Sequence, residues 1–186
     1  MKSGKIRQSE EAAAVRAQWE AEAREAQARI APSGRSGLSE LGATSGLEFL
    51  QRIFRGELPG IPMGETMGMV PILAERGRVI FQATPAARFY NPIGSVHGGF
   101  LATLLDSAVG CAVHTLLEQG MGYTTLELKV NYLRALGEDT GPVRAEGRVV
   151  HTSRQIGVAD GSVHDAAGRL YAHATTTCLI FPLPAG

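Results

Sequence analysis

NPIGSVHGGFLATLLDSAVGCAVHTLL, residues 91 to 117, is the stretch whose reading decides how the rest of the chain can fold. It opens as a turn, because Asn91-Pro92 restricts the backbone and Gly94 permits a tight bend. After His97-Gly98-Gly99, apolar residues recur at three-to-four spacing: Phe100, Leu101, Leu104, Leu105, Ala108, Val109, Ala112, Val113, Leu116 and Leu117. That spacing predicts a helix with a wide apolar face, which in a soluble protein must be buried. A narrow stripe of small or polar residues interrupts it: Gly99, Thr103, Asp106, Gly110 and His114. Small residues there allow close approach by another backbone or a ligand. Asp106 is the anomaly, since a buried, unpaired carboxylate is costly.

The helix N-terminus at Gly98-Gly99 directs unpaired N–H groups and partial positive charge outward, a setting suited to an oxyanion or a polarised carbonyl. Asp106 lies eight residues beyond Gly98, about 12 Å along the axis. One chain therefore cannot bring both groups to one reacting carbon. Two antiparallel copies of the helix about a two-fold axis can. A catalytic site built from these groups is expected to be shared between the subunits of a dimer.

The pattern Asn-x5-His-Gly-Gly with an Asp eight residues after the first Gly resembles the hotdog-fold acyl-CoA thioesterases of the phenylacetate-pathway (PaaI) type. The segments TTLELKVNYLR, EGRVVH and AHATTTCLIF are similar to that family as well, so the resemblance covers roughly residues 44 to 181. It implies an α+β hotdog fold, an antiparallel sheet wrapped around one long central helix, here with an N-terminal helical extension. It also implies hydrolysis of a CoA thioester (aryl or medium- to long-chain acyl) to the acid and free CoA. No metal or redox cofactor is implied, coenzyme A being part of the substrate. The assembly implied is a homodimer with shared sites, or a homotetramer.

Composition fits one globular domain with an appendage. Forty-four per cent of the residues are apolar, enough for a sizeable core, and 18 basic residues balance 18 acidic ones. No net field draws the chain to nucleic acid or to an anionic membrane. Cys111 and Cys178 read as buried thiols in a reducing compartment, and their separation fits no metal-ligand pattern. MKSGKIRQSEE lacks the apolar core of a signal peptide, and Asp106 breaks the best apolar window, so a cytoplasmic location without membrane insertion is expected.

Residues 1–31 read as a helical or partly disordered arm, 32–45 as a Gly/Ser-rich linker, and 46–183 as the hotdog domain. The arm has good helix propensity but few large apolar residues beyond Val15, Trp19 and Ile30. It reads as a solvated extension separate from the chemistry, or else as an arm packing on another subunit. Residues 46–56 predict a short amphipathic helix, and 67–74 with 78–84 two strands around Glu75-Arg76-Gly77. Residues 124–134 alternate, with Leu126, Leu128, Val130 and Tyr132 on one face. Strands at 143–151, 155–164 and 169–181 complete a meander.

Each candidate site residue has a functional and a structural reading. Asp106 is a general base or nucleophile toward a thioester carbonyl, or a carboxylate that caps or pairs. Gly98 supplies an oxyanion N–H or serves turn geometry, and both roles need the same residue. The resemblance gives Asn91 a part in positioning the thioester or the water, against a plain Asn-Pro turn. His97 contacts the thioester or orients the loop, and Gly99 lies where substrate would approach. The resemblance also implies a Ser or Thr at the start of the next strand that orients the water; Thr125 fits by alignment and Thr124 by its face, and the sequence leaves both open. Arg134 and Arg154 match places where the family carries basic residues for the CoA phosphates, against solvated strand ends. The competing functions are a hotdog hydratase or dehydratase acting on acyl thioesters, and a non-catalytic acyl-CoA-binding module.

Overall fold

The computed structural model describes residues 2–184, with side chains for residues 9–37 and 39–184. The chain begins with α1 (Lys2–Arg29), β1 (Ala31–Ser33), α2 (Leu38–Ala43), α3 (Gly46–Phe54), β2 (Pro59–Gly60) and α4 (Pro62–Met67). A hairpin of β3 (Val70–Glu75) and β4 (Arg78–Ala83) leads to α5 (Gly98–His114), which is the helix expected in the 91–117 stretch. The strands β5 (Met121–Tyr132), β6 (Val143–Thr152), β7 (Ile156–Asp165) and β8 (Leu170–Pro182) follow.

Six of these strands form one antiparallel sheet in the order β3-β4-β6-β7-β8-β5. β6, β7 and β8 form a meander, but β5 does not precede it in space. The chain leaves β4, crosses one face of the sheet as α5, and returns at the opposite edge, where β5 pairs with β8. This is the hotdog arrangement of a long helix against an antiparallel sheet.

Leu104, Leu105, Ala108, Val109, Ala112 and Val113 are wholly buried against Val79, Phe81, Val143, Ala145, Ala159 and Val163. Glycines in the sheet let the helix sink this far. A Cβ on Gly147 would lie 2.2 Å from the Ala108 carbonyl oxygen. One on Gly157 would lie 2.5 Å from Val113, and one on Gly161 2.6 Å from Val109. At these three points the strand backbone itself is the packing surface, and any side chain would force helix and sheet apart.

The arm packs one face on its own domain and leaves the other to solvent. Arg144 of β6 stacks on the Trp19 ring at 4.4 Å and pairs with Glu22, and Gln82 of β4 donates to the Trp19 carbonyl at 3.2 Å. Ala26 is buried, and Ala12, Val15, Trp19, Ala23 and Ile30 are partly covered. The contact stripe of α1 is thus largely alanine, so a count of large apolar residues underweights it. Beyond the helix, β1 pairs in parallel with β2, and the Gly34 N–H donates to the Gly60 carbonyl at 3.0 Å. Residues read as a linker therefore lie against the domain. Among the described residues no helix is long and apolar enough to cross a membrane.

At the far end of α5, His114 is 4 % exposed, between the rings of Phe49 at 5.8 Å and Tyr123 at 5.3 Å. Burial alone pushes its pKa from 6.5 down to about 4. Between those values the unfolded chain binds a proton that the folded chain does not, so stability is full above 6.5 and falls as pH drops toward 4. The expected loss over that window is at most about 3 kcal/mol. Urea unfolding of wild type and His114→Phe at pH 7 and pH 4.5 tests this. The variant should show a clearly smaller drop, and equal acid sensitivity would remove His114 as the cause.

Candidate active site

The loop before α5 is built around Asn91. Its Oδ1 accepts from the N–H groups of Ile93 at 3.1 Å and Ser95 at 3.2 Å, and its Nδ2 donates to Ser95 Oγ at 3.1 Å. The side chain of Asn91 is therefore taken up in shaping the turn that delivers the helix. The His97 N–H donates to the Phe89 carbonyl at 2.7 Å and the Val96 N–H to that of Leu136 at 2.9 Å, anchoring the entry on both sides.

His97 is the N-cap of α5, and its Nδ1 accepts from the Gly99 N–H at 2.8 Å. An accepting Nδ1 leaves the imidazole proton on Nε2, which points away from the cap as a donor. The Phe100 N–H donates to the His97 carbonyl at 3.0 Å. Of the first three helical N–H groups, Gly98 alone has no acceptor among the described residues. Tyr132, at the end of β5, lies across it: a Cβ on Gly98 would sit 3.0 Å from the tyrosine ring. The sequence reading put Tyr132 on an apolar strand face and did not foresee its place over the helix N-terminus. A strand ending level with the start of an antiparallel helix was the signal available.

Asp106 stands on the uncovered side of α5 and is exposed in the single chain, contrary to the burial expected from the apolar run. Its Oδ1 accepts from Thr125 Oγ1 at 3.0 Å. Thr124 is exposed on the opposite face of β5. The choice between the two threonines turns on a β-bulge at Leu126: Thr125 pairs with Cys178 while Glu127 pairs with the very next residue, Thr177. The extra residue changes the phase of the strand. Thr125 therefore shares the inward face with Leu128 and Val130, while Leu126 is 57 % exposed.

Gly98 and Asp106 lie on one uninterrupted helix, about 12 Å apart along its axis. The two arginines are also separated. Arg134 follows the end of β5, its guanidinium 6.0 Å from the Tyr171 ring, near the start of α5. Arg154 is exposed in the β6–β7 turn at the other end of the sheet, where Gly157 meets Val113. The twelve residues of β5 put those ends roughly 35 Å apart. One chain thus brings together Asp106 with Thr125, and His97 with Gly98 and Gly99, and keeps the two sets apart. Among the described residues no group of three His, Cys, Asp or Glu is placed to hold a metal ion.

Comparison with known proteins gives this geometry a family context. The family model described as the thioesterase superfamily matches residues 93–172. A Saccharolobus solfataricus protein named as an esterase is 31 % identical over 100 residues, which span 54 % of this chain and 69 % of that protein. A crystal structure from Ralstonia eutropha, described as a phenylacetic acid degradation-related thioesterase, is 30 % identical with a TM-score of 0.64, covering 69 % of this chain and 97 % of that one. A Streptococcus mutans protein solved bound to acetyl CoA is 27 % identical with a TM-score of 0.57, covering 63 % of this chain and 91 % of that one.

The Thr125–Asp106 bond yields a sharp comparison. Thr125→Val keeps the shape but deletes a hydrogen bond to a charged group, so thioester turnover should fall about tenfold or more with the fold intact. Thr124→Val, on the other face, should leave turnover within about twofold. Equal effects of the two substitutions would show that the bond has no bearing on the chemistry.

Proposed function

The chain belongs to the thioesterase superfamily and is a hotdog-fold thioester hydrolase, and from that premise we propose that it hydrolyses acyl-CoA in active sites shared between two copies of itself. One observation carries the reading: Asp106, held by Thr125, and the acceptor-free Gly98 N–H lie on the same rod too far apart to serve one carbonyl. A second copy, antiparallel about a two-fold axis, pairs each helix N-terminus with the other's Asp106. The free edge of β5 and the exposed Leu126, Tyr132 and Leu133 beside it support a second copy docking there. The acetyl CoA held by the Streptococcus mutans relative supports the substrate class. The resemblance to PaaI-type enzymes supports an aryl or medium- to long-chain acyl group, and leaves room for a dimer of dimers. Free, buried Cys111 and Cys178 suit the reducing cytoplasm.

The chemistry then follows from charge. The Gly98 N–H of one subunit and the positive end of its helix draw electron density onto the thioester oxygen. Asp106 of the other subunit acts in one of two ways. As a base it takes a proton from water, and the resulting hydroxide adds to the carbonyl carbon. As a nucleophile its own oxygen adds, forming an anhydride that water opens. In both routes the tetrahedral oxyanion collapses, the C–S bond breaks, and the sulfur leaves as a thiolate that takes up a proton. Thr125 orients the carboxylate, and His97 holds the helix start while offering its Nε2–H to the approaching thioester. Arg134 of one subunit and Arg154 of the other are the candidates for the CoA phosphates.

Complementation tests the shared site. Asp106→Asn removes the base at nearly constant volume and should cut turnover roughly a hundredfold or more. Gly98→Pro removes the N–H at the first helical position, where proline fits, and His97 already has the extended backbone (φ −61°, ψ 137°) that a following proline requires. Tyr132 must swing aside, which an exposed phenol can do. Each homodimer should be inactive. Refolding the two together puts both lesions into one site of each mixed dimer and leaves the other intact, returning up to about a quarter of wild-type activity. Folded mixed dimers without activity would place both groups in one chain's site and end the antiparallel-helix model.

A further inference from the structure

A cavity of about 350 Å³ lies beside α5, on the opposite flank from Thr125. Its apolar lining comes from Ile30, Ile53, Ile61, Met69 and Phe81. Ile53, Met69 and Phe81 are buried to 5, 7 and 1 % exposure, so the inner wall is fixed by the core. The outer wall is the arm: residues 27 and 30–33 all face the space. The cavity also reaches Ser107, the residue next to Asp106 on the helix.

The lining is chemically selective. Among the described residues no Lys or Arg lines the space, and the one charged lining group is Glu65, exposed and hydrogen-bonded to Ser33. The lining residues give a phosphate or carboxylate no cationic side chain, while their apolar wall matches a neutral apolar group. At about 30 Å³ per water-sized unit the volume takes roughly ten non-hydrogen atoms. The arm is anchored outside the cavity by Trp19 and Glu22, and at the wall itself by the β1–β2 pairing through Ala31 and Ser33. Its wall residues are thus fixed by backbone pairing at the wall and by side-chain contacts farther back along the helix.

Building on the acyl-CoA reading above, we propose that this cavity receives the acyl group, and that the N-terminal arm, through Ile30 to Ser33, sets how long an acyl chain fits. The thioester lies at Asp106, and the acyl chain runs past Ser107 across the uncovered side of α5 into the space between α3, α4 and the arm. The arm then belongs to the substrate site rather than standing apart from the chemistry.

Two substitutions in the full-length protein change the cavity in opposite senses. A Cβ on Gly64 meets nothing closer than 3.6 Å, so Gly64→Leu fills the space, while Ile30→Ala enlarges it. The readout is kcat/KM across acetyl-, butyryl-, hexanoyl-, octanoyl-, decanoyl- and dodecanoyl-CoA. Wild type should gain up to about fourfold per added methylene and level off near eight to ten carbons. Gly64→Leu should lower octanoyl- and decanoyl-CoA at least tenfold and leave acetyl- and butyryl-CoA within about twofold. Ile30→Ala should move the plateau two or more carbons longer, and it decides the matter alone if Gly64→Leu does not fold. Calorimetric binding of decanoyl-CoA and of CoA to Asp106→Asn, with and without each cavity substitution, gives a readout free of turnover. Hydrolysis with chain-length profiles unmoved by the substitutions overturns the cavity assignment alone. Absence of hydrolysis on every acyl-CoA, with decanoyl-CoA binding still sensitive to the cavity substitutions, overturns the functional reading and keeps the cavity as an acyl site. Decanoyl-CoA binding no tighter than CoA overturns the cavity whatever the activity.

Discussion

The structure depends on how closely α5 approaches the sheet. At Gly147 the strand backbone meets the Ala108 carbonyl with no room for even a methyl group. Gly157 and Gly161 repeat the arrangement one strand over, against Val113 and Val109. A helix sunk so deeply makes contact with β4, β5, β6, β7 and β8 and buries nearly its whole circumference. One side stays uncovered, through Gly99, Ala102, Thr103, Asp106 and Ser107. Chemistry on this helix has nowhere else to go. The Thr125–Asp106 pair lies along that strip, and Ser107 on the same strip lines the arm-walled cavity.

The same constraint resolves the awkward carboxylate. An Asp within an apolar run suggests a buried charge in need of a partner. In the single chain Asp106 keeps water on one side and a hydroxyl on the other, so its charge costs little during folding. In the proposed dimer, substrate and the second subunit would cover this strip and displace that water.

Much of this was legible in the sequence, for reasons that differ by element. The helix at 98–114, the β3–β4 hairpin and the last three strands rest on local periodicity and turn residues, and the structure has them within a few residues of the expected positions. Asp106 and Gly98 stood out because a charge and a paired glycine interrupt a pattern. Three features were out of reach. The position of β5 at the far edge depends on which strand wins the slot beside β4, a long-range competition that leaves no local trace. The bulge at Leu126 reversed the apparent phase of the strand, and strict alternation therefore favoured Thr124 where Thr125 meets the carboxylate. The cavity is assembled from five separate stretches, so no one of them announces it.

Small residues account for a further gap, the close packing of α5 on the sheet and of α1 on the domain. Patterns of large apolar side chains report surfaces that fill space, and they miss surfaces that meet by leaving it empty. Inside the sheet the contact with α5 is made by glycines at 147, 157 and 161, which a strand reading scores as weak points. On α1 the contact is made by alanines at 12, 23 and 26 around a single tryptophan, which a helix reading scores as a solvated face. Close approach strengthens dispersion over every atom pair at the contact, so a stripe of alanine against flat backbone can hold a helix that has few large side chains to bury. The polar groups of Gln82 and Arg144 then fix the register of that helix by gripping the Trp19 carbonyl and ring and the Glu22 carboxylate. An arm held in this way has a fixed length before it reaches Ile30. Its last turn and the three residues after it are thereby positioned as a wall rather than left as a tether.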